Sequence, residues 1–135
     1  MANWLLKTEP SAYSFGDLQK AKRAVWDGVK NPTANANLRA MKPGDRVAVY
    51  HTGDEKAVVG LAEIISPPRA DPTNAKLTVV ELAAKEALAR SVTLAELKTE
   101  PSFAASPLIK IGRLSVVPLD AAQYKRVLAL AGARR

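Results

Sequence analysis

Arg46-Val47-Ala48-Val49-Tyr50-His51, then Thr52-Gly53-Asp54-Glu55-Lys56, then Ala57 to Ile65 is the stretch that decides the fold class. The first segment alternates, with Val47 and Val49 on one face and Tyr50 on the other, which is the period of a β-strand. The polar middle is a hairpin connection. Ala57 to Ile65 is the return strand, and Gly60 inside it marks a bulge or a tight barrel bend. Pro67-Pro68 ends it.

Reading outward toward the N-terminus, Trp4-Leu5-Leu6 opens a short strand that Glu9-Pro10 closes. Ser14 is placed as a helix N-cap with Asp17 as its capping-box partner, for a helix over roughly Phe15 to Lys22. Val25-Trp26 forms a brief strand before the Asp27-Gly28 turn. Asn31-Pro32-Thr33 is loop chemistry, and Asn35 to Met41 suits one short helix stopped by Pro43-Gly44-Asp45. Toward the C-terminus, Asp71-Pro72-Thr73 is a turn and Leu77 to Leu82 a strand. Thr93 to Glu96 is a capping box for a helix ending near Lys98, and Pro101 bars its continuation. Leu114 to Val117 is a last strand. Asp120 caps a terminal helix whose Tyr124, Val127, Leu128 and Ala131 form an apolar stripe. Gly132 stops that helix, and Arg134-Arg135 are expected to fray.

About five to six strands with short helices between them indicate an α+β fold. Regular strand–helix alternation is missing, which argues against a doubly wound parallel sheet. A mixed, closed or nearly closed small β-barrel with short surrounding helices is expected. No linker or repeat divides the chain, so residues 1–135 are read as one domain.

The chain carries a net charge of +7, which points to an anionic partner. There is no cysteine, so disulfides and thiolate chemistry are excluded. A single histidine, His51, excludes a multi-histidine zinc site, and no metal or cofactor is expected. Met1-Ala2-Asn3 leads straight into an apolar segment without a signal pattern. No apolar run is long enough for a membrane span. A soluble cytoplasmic protein without membrane contact, monomeric by default, is the expectation.

Signatures of common enzymes are missing: no G-x-S-x-G, no P-loop, no dinucleotide fingerprint. His51 beside a polar turn reads as a strand-end residue bonded locally, since a triad also needs a placed nucleophile and acid. The unusual feature is aromatic and polar clustering before residue 52. Trp4, Trp26, Tyr13 and Tyr50 are interleaved with Lys7, Ser11, Asn31 and His51. Aromatic faces stack on bases, and Lys, Asn and Ser read their edges. Trp4 and Tyr50 are also natural core residues. Trp26, where a strand meets a turn, is the better pocket candidate; its truncation is expected to weaken binding and spare the fold, whereas truncating Trp4 should cost stability.

Trp4-Leu5-Leu6-Lys7-Thr8-Glu9-Pro10, Tyr13-Ser14-Phe15, Trp26-Asp27-Gly28-Val29-Lys30-Asn31, Leu38-Arg39-Ala40-Met41 and Gly44-Asp45-Arg46-Val47 together resemble the EVE domain family. Tyr50-His51, Val59 to Glu63, Asp71-Pro72-Thr73 and Arg113 to Val116 extend the resemblance, in the family's order, to about Val117. The resemblance implies a PUA-like mixed β-barrel, related to YTH and ASCH domains, and a reader of nucleic acid. Modified cytosine in DNA is the favoured ligand, with RNA as the alternative. Carried over by position, the base pocket comprises Lys7, Ser11, Tyr13, Ser14, Trp26, Gly28, Val29, Asn31, Tyr50, His51 and Thr52. Lys30, Arg39, Arg69, Arg113 and Ser115 form a phosphate-holding rim. Pro32 to Asn37 departs from the family pattern, which has an aromatic or Gln and then Ala-Arg-Asn.

The expected mechanism is non-catalytic. A base taken from a single strand or flipped from a duplex stacks on Trp26, while Lys7, Asn31 and His51 select its edge. An enzyme on a nucleotide-like molecule and a protein-interaction module using the terminal helix are the competing readings.

Overall fold

In the computed structural model, which describes residues 1–132, the chain begins with β1 (Asn3–Thr8), α1 (Phe15–Ala21), β2 (Arg23–Trp26) and α2 (Pro32–Arg39). It continues through β3 (Arg46–His51), β4 (Ala57–Ile64), β5 (Arg69–Asp71) and β6 (Asn74–Thr93). α3 (Leu94–Lys98), a 3-10 turn at Pro101–Phe103, α4 (Pro107–Lys110), β7 (Val116–Leu119) and α5 (Ala121–Leu130) complete it. The expected fraying of Arg134 and Arg135 concerns residues outside those described.

The strands form one seven-stranded mixed sheet in the order β2-β6-β4-β3-β1-β7, with β5 added to β6. β1 runs parallel to β3, in register Lys7↔Tyr50 and Thr8↔His51. A parallel pair needs a long crossover, and α1, β2 and α2 supply it. All other pairs are antiparallel. Val47 to His51 are all buried, so β3 is covered on both faces and its alternation does not mark a solvent side. Leu5, Leu6, Leu18, Leu38, Val47 and Ile64 are among the fully enclosed core side chains.

β6 is far longer than the expected strand over Leu77 to Leu82. Its second half is rich in Ala, Glu, Lys and Leu, which have little strand preference alone. Pairing with β4 overrides that weak local signal. Register shifts against β4, from Leu61↔Glu86 to Ala62↔Ala84, let the strand bend around the core. The last strand lies two residues later than expected and contains Pro118. An edge strand tolerates proline because one side of it has no ladder, and β7 pairs only with β1.

The barrel is not closed. Among the described residues, β2 bonds only β6 and β7 only β1, so the sheet stays open between these two edges. α2 straps the opening. Asn35 accepts from the Thr78 amide at 2.8 Å, and Asn37 Nδ2 donates to the Val116 carbonyl at 2.8 Å. Asn35 also donates to the Val29 carbonyl at 2.5 Å, and its side chain is buried. The departure segment is thus a helix whose asparagines tie β6 to the strand across the gap. Asn31 caps that helix by accepting from the Ala34 amide, and Pro32 occupies its first turn, where a missing N–H costs nothing. The loop reading at Asn31-Pro32-Thr33 missed this start signal. Ser14 and Thr93 close the capping boxes expected of them, and Asp120, expected as a cap, also forms a box with Gln123. No helix among the described residues is long and apolar enough to cross a membrane.

Candidate nucleic-acid interface

A cavity of about 450 Å³ opens beside the gap in the sheet, within the size range of small-molecule sites. Lys7 and Thr8 from the end of β1, and Ser115 just before β7, form one wall. Ala24, Val25 and Trp26 of the edge strand β2 form the other. Tyr13 and the loop Asp27 to Lys30 complete the lining, with Glu9 at its side.

Each wall is held by local bonds. The Lys7 amide donates to the Ser115 carbonyl at 2.9 Å, which joins β1 to the segment leading into β7. Thr8 Oγ1 donates to the Tyr13 carbonyl at 2.6 Å, and the Ala12 and Tyr13 amides donate to the Glu9 carbonyl at 2.9 Å each. These bonds fold the turn that brings Tyr13 over the cavity. Tyr13 meets Trp26 edge to face. Gly28 has φ +73°, so the turn that follows Trp26 needs a residue without a Cβ penalty.

Lys7 Nζ donates to the Gly112 carbonyl at 3.0 Å and lies 5.5 Å from the centre of the Tyr50 ring. Partial burial lowers its amine pKa from the ordinary lysine value. Glu9 is held as a carboxylate below its usual range by the Ser11 amide first, at 3.1 Å, then by the Ser11 and Thr52 hydroxyls. The charged lining is therefore two lysines, Lys7 and Lys30, against two acids, Glu9 and Asp27. A balanced, aromatic-walled cavity suits a neutral planar ring better than a free phosphate.

Of the residues expected in the pocket, Lys7, Tyr13, Trp26, Gly28 and Val29 come together there, as do Lys30 and Ser115 from the expected rim. Others do not line it. Ser11 bonds Glu9, Ser14 caps α1 and Asn31 caps α2. Tyr50 is buried beneath Lys7. Thr52 lies behind Glu9, its amide donating to the Thr8 carbonyl. His51 is enclosed, with both nitrogens engaged: Nε2 accepts from the Phe15 amide at 2.9 Å, so Nδ1 carries the hydrogen and donates to Glu55 at 2.8 Å. Neither nitrogen is left to read a base edge. Arg113 stands exposed on the turn before Ser115, outside the cavity lining. Arg39 and Arg69 line neighbouring concavities.

Trp26 is 8% exposed and Trp4 7%. The expectation that truncating Trp26 spares the fold is therefore corrected: it is a core residue and a cavity wall at once. Thr8, Glu9 and Asp27 were missed as lining residues, although the same Lys-Thr-Glu-Pro and Trp-Asp-Gly blocks carry them. Ala24 and Val25 have no sequence signal beyond edge-strand alternation. No cluster of three or more potential metal ligands exists among the described residues.

Known proteins share this fold and much of this sequence. The model of the EVE domain matches residues 2–130. Thymocyte nuclear protein 1 of Homo sapiens is 30% identical over 165 aligned positions, covering 96% of this chain and 73% of that protein. The NMR structure of Rpa0253 from Rhodopseudomonas palustris is 40% identical, with a TM-score of 0.91 across 98% of this chain and 94% of its own. A crystal structure of human THYN1 protein in complex with 5-methylcytosine containing DNA is 27% identical, with a TM-score of 0.88 and full coverage of both chains. The architecture is the PUA-like α+β fold of these neighbours, and the chain belongs to the EVE domain family.

Proposed function

We propose that this chain, acting as one domain over residues 1–135, is a non-catalytic reader that holds a single modified base, 5-methylcytosine in DNA, in the cavity between β1 and β2. The observation that carries this is the cavity itself: about 450 Å³, charge-balanced, and walled by Trp26 and Tyr13. The similarity to human THYN1 protein, whose structure contains 5-methylcytosine DNA, supports the choice of ligand.

Extruding a base from a duplex costs a few kcal/mol. Stacking on an aromatic wall returns about 1–3 kcal/mol. Polar atoms must supply the rest and the selectivity. Lys7, Thr8 and Ser115 line one wall, and Asp27 to Lys30 another. The buried Val29 gives a methyl group an apolar neighbour, with the more exposed Val25 at the rim.

The test is fluorescence anisotropy with otherwise identical oligonucleotides that carry cytosine or 5-methylcytosine at one position, as DNA and as RNA. Tighter binding of the methylated DNA is expected. Equal affinity for methylated and unmethylated DNA would overturn the proposal, and preference for the RNA would move the function to RNA reading.

A further inference from the structure

We infer that the groove next to the cavity, formed by Arg39, Arg69 and Lys76 and entered past Lys30, is the track for the nucleic-acid backbone on one side of the held base. This rests on the reader function proposed above and assigns the surface that takes its phosphates.

Lys30 lines both the base cavity and a second concavity of about 460 Å³. That concavity shares Arg39, Lys76 and Leu77 with a third of about 400 Å³, which Arg69 also lines. The three are thus consecutive along one surface, over α2 and the β5–β6 hairpin. Among the described residues, no acidic side chain lines the second or the third. The base cavity has Glu9 and Asp27, and a separate concavity beside Tyr124 has Glu63 and Glu86.

The cations in this groove have little counter-charge within the protein. Among the described residues, Lys30 and Lys76 form no ion pair. Among those residues, Arg39 reaches only the Thr78 hydroxyl, at 3.4 Å. Arg69 meets Glu81 at 3.5 Å in a pair exposed to solvent, a geometry that contributes little. Four cations with weak internal partners, continuous with a charge-neutral cavity, match a polymer of neutral rings on an anionic backbone. Phosphate contacts fix register while the pocket specifies the base.

The experiment compares the parent with two double variants that remove the same charge. Arg69→Gln with Lys76→Gln alters the groove; Lys85→Gln with Lys125→Gln alters α5 and the concavity beside it. Anisotropy is measured with DNA bearing one 5-methylcytosine, and with its unmethylated counterpart, across a salt series. The groove variant is expected to bind on the order of tenfold more weakly at about 50 mM salt. Its slope of log affinity against log salt should shrink by about 1–2, as expected for two lost phosphate contacts. The control should stay within about twofold of the parent, with all three proteins melting alike. Parental affinity and slope in the groove variant would overturn the inference, as would an equal loss in the control. If the parent binds methylated and unmethylated DNA alike, the reader function fails. A slope still lost only in the groove variant then upholds the backbone track by itself.

Discussion

Tyr13 and Trp26 meet edge to face, their ring centroids 6.2 Å apart and their planes at 80°. An edge-to-face pair contributes about 0.5–1.5 kcal/mol beyond its buried area. Here it links the turn after β1 to the last residue of β2, across the cavity. Tyr13 is only partly buried, so Tyr13→Ala should leave most of the fold's stability while weakening base binding several-fold. Trp26→Ala should cost both: about 3–5 kcal/mol of stability for a truncated core aromatic, and the base preference as well. Urea unfolding and oligonucleotide anisotropy on both variants separate the roles. Parental affinity in Tyr13→Ala would show that this ring does not shape the site.

Lys7 yields a prediction with two opposite signs. Burial lowers its pKa in the folded protein relative to the unfolded chain. Between the folded and unfolded values the unfolded chain binds more protons, so raising the pH through that interval stabilises the fold. The same rise removes the ammonium from the cavity wall and should weaken whatever binding depends on it. Affinity is therefore expected to fall in the alkaline range while the melting temperature does not follow it down for this group. Lys7→Arg, charged throughout, should flatten the binding profile. An identical alkaline loss in Lys7→Arg would remove Lys7 from the recognition step.

The legible parts of this molecule were those written in local chemistry. Ser14 with Asp17 and Thr93 with Glu96 each close a capping box within four residues, Asp120 caps the terminal helix, and the hairpin from β3 to β4 follows from alternation around a polar turn. Features set by distant partners were illegible. The length of β6 depends on β2 and β4, and the open edge depends on α2 strapping β6 to Val116. The site divides in the same way. Lys7 and Trp26 stand in distinctive blocks and do line the cavity. His51, in an equally distinctive block, turns inward to Phe15 and Glu55. Residue type and spacing could not say which way that ring faces.

Gly60 shows why α1 lies where it does. A Cβ built on Gly60 would come within 2.3 Å of Phe15 Cζ, so the ring occupies the space a side chain would need. Phe15 opens α1, and its amide is the donor to His51. Gly60→Ala should therefore destabilise by about 1–3 kcal/mol or more, the cost of an overpacked core. Phe15→Leu added to Gly60→Ala should recover part of that loss, although Phe15→Leu alone is destabilising. Chemical denaturation of the two single variants and the double gives the coupling. Additive losses would mean that the ring and the glycine do not compete for the same space.

Asp45 anchors the start of β1 and is 3% exposed. Its Oδ2 accepts from the Trp4 indole at 2.9 Å and the Lys42 amide at 3.0 Å, and its Oδ1 from the Ala2 amide at 3.0 Å. Burial pushes this carboxyl up, but the three donors outweigh it and hold the pKa below the usual aspartate value. A depressed folded pKa contributes stability that is present above the unfolded value and lost as the pH falls through the folded one. Asp45→Asn cannot replace it, because an amide offers one acceptor oxygen and turns its NH₂ toward the remaining donors. The variant should lose about 1.5–3 kcal/mol at neutral pH, the range for hydrogen bonds to a charged group. Its deficit should narrow on acidification, since the parent then loses the same carboxylate. Urea unfolding of both proteins from neutral to acid pH measures this. A deficit that stays constant as the pH falls would show that the lost energy is packing around Trp4 and not the charge on Asp45.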